Sequence, residues 1–236
     1  MTAWRDLVDR TDSMLGPVSP ALARHWRAEL DDVEQRVAHL ERSAPARTPN
    51  DGMHAFVALA TARLADEWDP HQLIDVAAAV ELAHRATRHH RVVINADSSV
   101  AAPYKANVSV VLDGDWSITQ AAVLVADIGP SAYQILVRGY GETQVGQLSG
   151  IGDALGLIRA AVALGALVAD LPDSAVQDLW AATRLAPALR SIPAAVLAWA
   201  TVVQGDTNAF SPAVPAPSDV QLPATSTTTS PAVGRS

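Results

Sequence analysis

Apolar residues recur every three or four positions over most of the chain, and proline or glycine separates most segments with this spacing. The clearest segment is residues 19–42, where Ser19 can cap the first turn and Pro20 takes its first position. Its apolar residues are Leu22, Trp26, Leu30, Val33, Val37 and Leu40. Further helices are predicted over 53–67, 71–91, 105–127, 131–148, 153–170, 173–190 and 193–203. Because no segment alternates as a strand does, the sequence predicts an all-α bundle.

The composition narrows the class of protein further. Hydrophobic residues make up 49% of the 236 residues but aromatic ones only 5%, which favours close-packed helices. The formal net charge of −8 argues against a nucleic acid or an anionic membrane surface as the main partner. Because the chain has no cysteine, it has no disulfide, thiolate nucleophile or cysteine-based metal site.

Two stretches bear on where the protein works. The start, MTAWRDLVDR, is charged from its fifth residue and lacks the apolar run of a secretory signal, so we expect a soluble cytoplasmic protein. Residues 154–171 are the most apolar stretch of the chain. Arg159 near its middle favours a buried core helix over a membrane span.

The composition changes at Gly205. Residues 205–236 contain five prolines and ten serines or threonines, with few large apolar side chains. Such a segment cannot offset the entropy of ordering, so we expect a helical domain over 1–204 and a disordered tail over 205–236. The tail is either a solubilising extension or a docking peptide anchored by Phe210 or by Leu222 and Pro223.

Four blocks carry a family resemblance: AAAVELAH (77–84), VVLDGDW (110–116), GETQVGQL (141–148) and ALGALVA (163–169). In this order and spacing they resemble the all-α trans-isoprenyl (polyprenyl) diphosphate synthase family, over roughly residues 25–200. That family joins isopentenyl diphosphate to an allylic diphosphate, held through Mg²⁺ on two aspartate-rich motifs across a helical cavity. The resemblance implies an isoprenyl-synthase-like helical bundle, truncated at its C-terminal end.

The positions that match the family's aspartates carry other residues here. They are Arg91, Val92 and Asn95 for the first motif, and Ala194, Ala195 and Ala198 for the second. Mg²⁺ needs hard oxygen ligands, which these side chains do not supply as the aspartates do. The family's basic diphosphate-binding loop falls near 47–55, which has no lysine, and its Lys-Thr pair falls near 153–154. The resemblance therefore implies a pseudoenzyme that is inactive alone, with no catalytic residue, metal or cofactor.

Other polar residues near the end of the 71–91 helix allow competing interpretations. His84, His89 and His90 do not share one helix face, so we expect a core or interhelical role for His84 and a polar helix end for the other two. Arg85, Arg88 and Arg91 recur every three residues, either as a solvated face or as a basic stripe for a diphosphate or an acidic partner.

Carboxylates and glycines further along the chain also have a structural interpretation. Asp113 and Asp115 alternate, so on a helix they diverge rather than form a catalytic pair. The glycines of GYGETQVGQ (139–147) follow no strand, which excludes a nucleotide-phosphate loop and suits close helix crossings.

The resemblance favours a non-catalytic regulatory or structural subunit of isoprenoid biosynthesis. It implies a dimer with a catalytic polyprenyl diphosphate synthase, or with itself, through residues 105–127 and 131–148. The candidate interface residues are Val108, Val111, Leu112, Ile118, Val123 and Leu124. One alternative is a module that binds an isoprenoid or another lipid. Another is a self-assembling cargo protein whose tail docks on a larger complex, and an enzyme with changed chemistry ranks last.

Overall fold

The computed structural model describes residues 20–42, 52–65, 67–94, 104–148, 155–174 and 176–177. These ranges contain six helices and no strand. The helices are α1 (Pro20–Leu40), α2 (Met53–Ala62), α3 (Pro70–Ile94), α4 (Tyr104–Ala126), α5 (Pro130–Leu148) and α6 (Leu155–Val168). The prediction of an all-α fold is confirmed.

Most predicted boundaries agree with the structure to within two residues, but two helix ends differ. α2 ends at Ala62 rather than at 67, because the N–H groups of Leu64 and Ala65 bond to carbonyls three residues back and tighten the chain. α3 continues to Ile94 rather than ending at 91. The start of α3 is capped by Asp69, whose Oδ1 accepts the backbone N–H of His71 at 2.9 Å.

Several predicted features lie wholly or mostly outside the described residues. The predicted helix 173–190 is described only at its first residues, and the helix 193–203 and the tail 205–236 are not described. The second-motif positions also lie outside: Ala194, Ala195 and Ala198.

α3 is the central helix and packs against each of the other five. Its middle carries the alanines 77–79, all fully buried, and such small side chains let neighbouring helices approach closely. α2 is buried along its whole length. Trp26 of α1 meets Phe56 of α2 with ring centroids 5.0 Å apart. Each large apolar side chain removed from water here contributes about 1.5–3 kcal/mol.

α6 is a core helix, as predicted for the most apolar stretch of the chain. Leu157, Ile158 and Leu164 are at most 1% exposed. α6 crosses α5 where Gly139 of α5 meets Gly156 of α6. A Cβ at Gly139 would lie 2.7 Å from the carbonyl oxygen of Gly156 and 2.6 Å from the Cβ of Ala160. The suggested role of glycine in a close helix crossing is therefore confirmed at Gly139.

Candidate functional site

The C-terminal end of α3 is the place where the resemblance expects the first metal-binding motif. Arg91 lies there in the last turn of the helix, and its side chain is exposed. A cation at this end interacts favourably with the helix dipole. Val92 follows in the same turn, and Asn95 lies outside the described residues.

His90 points into the junction of α3, α4 and α5 rather than forming a polar helix end. Its Nδ1 lies 2.8 Å from the Oη of Tyr140, and its Nε2 lies 3.1 Å from Oδ1 of Asp115. Gln144 donates its Nε2–H to the Oη of Tyr140 at 2.8 Å. Burial raises the pKa of the Tyr140 hydroxyl. Gly114 makes the room, because a Cβ there would lie 2.5 Å from Nε2 of His90.

His89 is buried and His90 is partly buried against α4 and α5, so the prediction of a polar helix end is wrong for both histidines. Burial lowers the pKa of His89, although the nearby Asp113 opposes the shift. Asp113 is itself buried while Asp115 is exposed, so the two carboxylates diverge as predicted. Sequence spacing missed the positions of His89 and His90, because the packing of α4 and α5 against α3 determines them.

His84 lies in the interior and stacks on His54 of α2, with ring centroids 4.2 Å apart. This contact confirms a core role for His84. Burial lowers its pKa to about 3, with help from Arg88 and Arg85. The ring is therefore uncharged near neutral pH and supplies no positive charge to an anionic ligand.

The Arg85 side chain is only 12% exposed, so the interpretation of the three arginines as a solvated face is wrong for this residue. Its guanidinium pairs with Glu41 at the end of α1 and with Glu81 one turn earlier on α3. Both carboxylate side chains are at most 6% exposed. The group thus joins α1 to α3 and is committed to structure rather than to a ligand.

Metal ligands do not converge in the part of the chain that the structure describes. No group of three or more histidine, aspartate or glutamate side chains there is placed to hold an ion. His84 contacts α2 whereas His90 contacts Tyr140 and Asp115, so these histidines do not converge on one ion.

The outer surface of α4 and α5 is the second notable feature. Among the described residues, seven of the eight exposed large hydrophobic side chains lie on these two helices. They are Val108, Leu112, Trp116 and Val123 on α4, and Tyr133, Val137 and Val145 on α5. Their spacing by four, seven and eight places each set along one side of its helix. We call this surface the α4–α5 face.

The predicted interface residues divide between this face and the core. Val108, Leu112 and Val123 are exposed, and Val111 is partly buried. Leu124 is only 5% exposed and Ile118 packs against the core, so the prediction is wrong for these two. The spacing of the apolar rows could have identified Trp116, Tyr133, Val137 and Val145, which sequence reasoning missed.

Among the described helices, the Asn107–Ala126 part of α4 is long and apolar enough to cross a membrane by length and composition. About a third of it is buried in the fold. Core helices of water-soluble proteins meet the same criterion, so it decides little by itself. Its exposed apolar residues are those of the α4–α5 face.

A solved structure provides a comparison for the fold. The chain is similar to a decaprenyl diphosphate synthase from Rhodobacter capsulatus, with a TM-score of 0.52 and 20% sequence identity. The match covers 84% of this chain and 79% of the synthase. No protein-family model and no curated protein sequence matches the chain. The expected isoprenyl-synthase-like fold is therefore confirmed at the level of architecture.

Proposed function

We propose that the chain is a non-catalytic subunit that pairs with a catalytic polyprenyl diphosphate synthase through the α4–α5 face. The observation that carries the proposal is this face itself, an apolar surface on two adjacent helices of an isoprenyl-synthase-like bundle. Large exposed apolar patches on a folded protein mark sites of association.

The end of α3 supports the non-catalytic part of the proposal. Ionisation of an allylic diphosphate needs cations that neutralise the departing pyrophosphate, and Mg²⁺ in turn needs carboxylates. Arg91 supplies no carboxylate at the position where the family places an aspartate. Arg85 is held by two glutamates and His84 is uncharged, so neither serves as a free cation for a diphosphate.

Two measurements test the proposal. The purified chain, given Mg²⁺ with allylic and homoallylic diphosphates, should form no prenyl product; turnover near 1 s⁻¹, ordinary for an enzyme, would contradict the proposal.

Co-expressed with a synthase that keeps both aspartate-rich motifs, the chain should co-purify with it and alter the length distribution of its products. A Val123→Asp variant should lose both effects, because an unpaired charge on the face is costly to bury. If no complex forms, the subunit role fails.

A further inference from the structure

A groove lies along the crossing of α5 and α6. The residues that line it are Ile135, Arg138, Gly139 and Glu142 of α5 and Gly156, Arg159, Ala160 and Ala163 of α6. In each helix the later residues follow the first by three, four and seven positions, so each set forms one side of its helix. The volume of the groove is about 370 Å³, near the lower end of the range for sites that bind small molecules.

The two helices run antiparallel along the groove. Gly139 meets Ala160, whereas Thr143, one turn later on α5, meets Gly156, one turn earlier on α6. Residues at the start of the α5 set therefore lie beside residues at the end of the α6 set. This pairing determines which side chains share each end of the groove.

The ends of the groove differ in chemistry. Ile135 and Ala163 lie together at one end, which is apolar. Toward the other end Glu142 lies between two arginines: its Oε1 is 3.0 Å from Nε of Arg138, and its Oε2 is 3.5 Å from Nη1 of Arg159. A ligand that matches both ends has a charged group and an apolar body.

The charge of the groove is positive, although the chain as a whole carries a net charge of −8. Its charged lining residues are two arginines and one glutamate. Arg138 bonds to Glu142 through Nε, so its two terminal nitrogens, which can bind a carboxylate in bidentate fashion, make no hydrogen bond to the described residues. Arg159 has a further interaction besides Glu142, which leaves Arg138 as the principal group for an anion.

We propose that this groove binds a small monocarboxylate with an apolar body of a few carbon atoms. The carboxylate of the ligand accepts hydrogen bonds from the terminal N–H groups of Arg138, beside the positive charge of Arg159. The apolar body lies toward Ile135 and Ala163, where it is removed from water. A diphosphate fits poorly, because its several negative charges would lie beside the carboxylate of Glu142.

The groove is separate from the features that carry the proposed function. None of its described lining residues belongs to α3, whose end matches the first metal-binding motif, or to α4. A chain that binds the carboxylate but no synthase therefore loses the subunit role and keeps this site, and the reverse result does the opposite.

A series of small ligands tests the proposal on the full-length chain. In calorimetric titrations at pH 7 and low salt, affinity should rise from acetate to butyrate to hexanoate, by about fourfold for each methylene that the groove covers. Hexylammonium and pyrophosphate should each bind more weakly than hexanoate by about tenfold or more. Equal affinity for acetate and hexanoate overturns the proposal, and so does tighter binding of pyrophosphate or hexylammonium.

Charge variants test the arginine. Arg138→Gln should weaken hexanoate binding by about tenfold or more, because hydrogen bonds between charged groups are lost. Arg24→Gln, at an exposed position of α1, makes the same change in net charge and should leave the affinity unchanged. Glu142→Gln should strengthen binding, since it removes the carboxylate that competes for the arginines. Equal losses in the two arginine variants, or no gain with Glu142→Gln, overturn the proposal.

A size variant tests the apolar end. Ala163→Leu fills this end, so it should reduce the affinity for hexanoate to that for acetate and leave the affinity for acetate unchanged. Ala38→Leu, at an exposed position of α1, should change neither affinity. Circular dichroism checks that both variants are folded, and if Ala163→Leu is not, the ligand series on the native chain decides. Unchanged hexanoate binding by a folded Ala163→Leu variant overturns the proposed orientation and with it the site.

Discussion

α6 and α4 are both apolar helices, yet their side chains end in different surroundings. On α6, Leu157 and Ile158 are at most 1% exposed, because α2, α3 and α5 surround the helix. On α4, Leu112 and Val123 are about half exposed. Apolar composition therefore shows that a helix needs cover but not what supplies it. The fold covers most of α6, whereas the outer row of α4 and its continuation on α5 remain exposed.

The largest expected effect lies in the interior, at the buried ion group of α1 and α3. Arg85→Ala leaves Glu41 and Glu81 buried without their shared cation, so we expect a loss of about 3–5 kcal/mol in unfolding free energy. The matched control is Arg138→Ala on α5, which removes an exposed ion pair to Glu142 and should cost less than about 0.5 kcal/mol. Urea unfolding measures both, and equal losses would remove the distinction between interior and surface.

The next effect comes from apolar packing. Leu82→Ala on α3 creates a cavity in the fully buried core, and we expect a loss of about 3 kcal/mol. Val123→Ala on the α4–α5 face should change the unfolding free energy of the dilute monomer by less than about 0.5 kcal/mol. If the valine variant destabilises the monomer as much as the leucine variant does, the face is part of the core.

The third prediction concerns pH. The pKa of His84 is about 3 in the folded chain against 6.5 for the ordinary side chain, so between these values only the unfolded chain binds the proton. The unfolding free energy is therefore unaffected by His84 above pH 6.5 and falls by up to about 1.4 kcal/mol per pH unit below it. At pH 5 the loss due to His84 is roughly 2 kcal/mol. His89, whose pKa is also lowered, contributes with the same sign.

The His84→Leu variant isolates this contribution. Its unfolding free energy, measured in urea at pH 7, 6 and 5, should fall less steeply than that of the native chain, because one proton-binding site of the unfolded state is gone. Parallel slopes for the two proteins would show that His84 is accessible to protons in the folded state.

The smallest effect on folding is expected on the face, where the effect on association is large. Val108→Asp should leave the circular dichroism spectrum and the monomer's unfolding free energy nearly unchanged, within about 0.5 kcal/mol. It should nevertheless abolish association, because burying an unpaired carboxylate costs several kcal/mol. Ile118→Asp is the contrasting variant, since Ile118 packs against the core and its replacement should unfold the protein.

Much of the fold could be predicted from local signals. The helix from Pro20 was predicted from its N-terminal proline and its apolar spacing, and the start of α3 from the Asp69-Pro70 pair. The end of α2 at Ala62 could not be predicted from local signals, because the tight turn that follows it has no marker residue in the sequence. The resemblance matches Arg91, Val92 and Asn95 to the first motif, and the structure adds only that the Arg91 side chain is exposed.

The candidate site was harder to predict than the fold. Spacing along one helix placed His84, His89 and His90 on different sides of α3, which is correct, but gave no information on their neighbours. Tyr140 lies 50 residues after His90 in the sequence, and the two meet because Gly114 lets α4 pack closely against α3. Arg85 likewise reads as a solvated residue in the sequence, because its partner Glu41 lies 44 residues earlier and only the fold brings the two together.

The sequence by itself determined the helical class, most of the helix boundaries and the residue types at the positions that the resemblance matches to the first motif. These features depend on residue type and on periodicity along one helix, which are local properties. The tertiary structure alone decided which apolar residues are covered and which histidines are buried. It also decided that Gly139 lies at the crossing of α5 and α6. Each of these depends on contacts between residues distant in sequence, and therefore on how the helices pack.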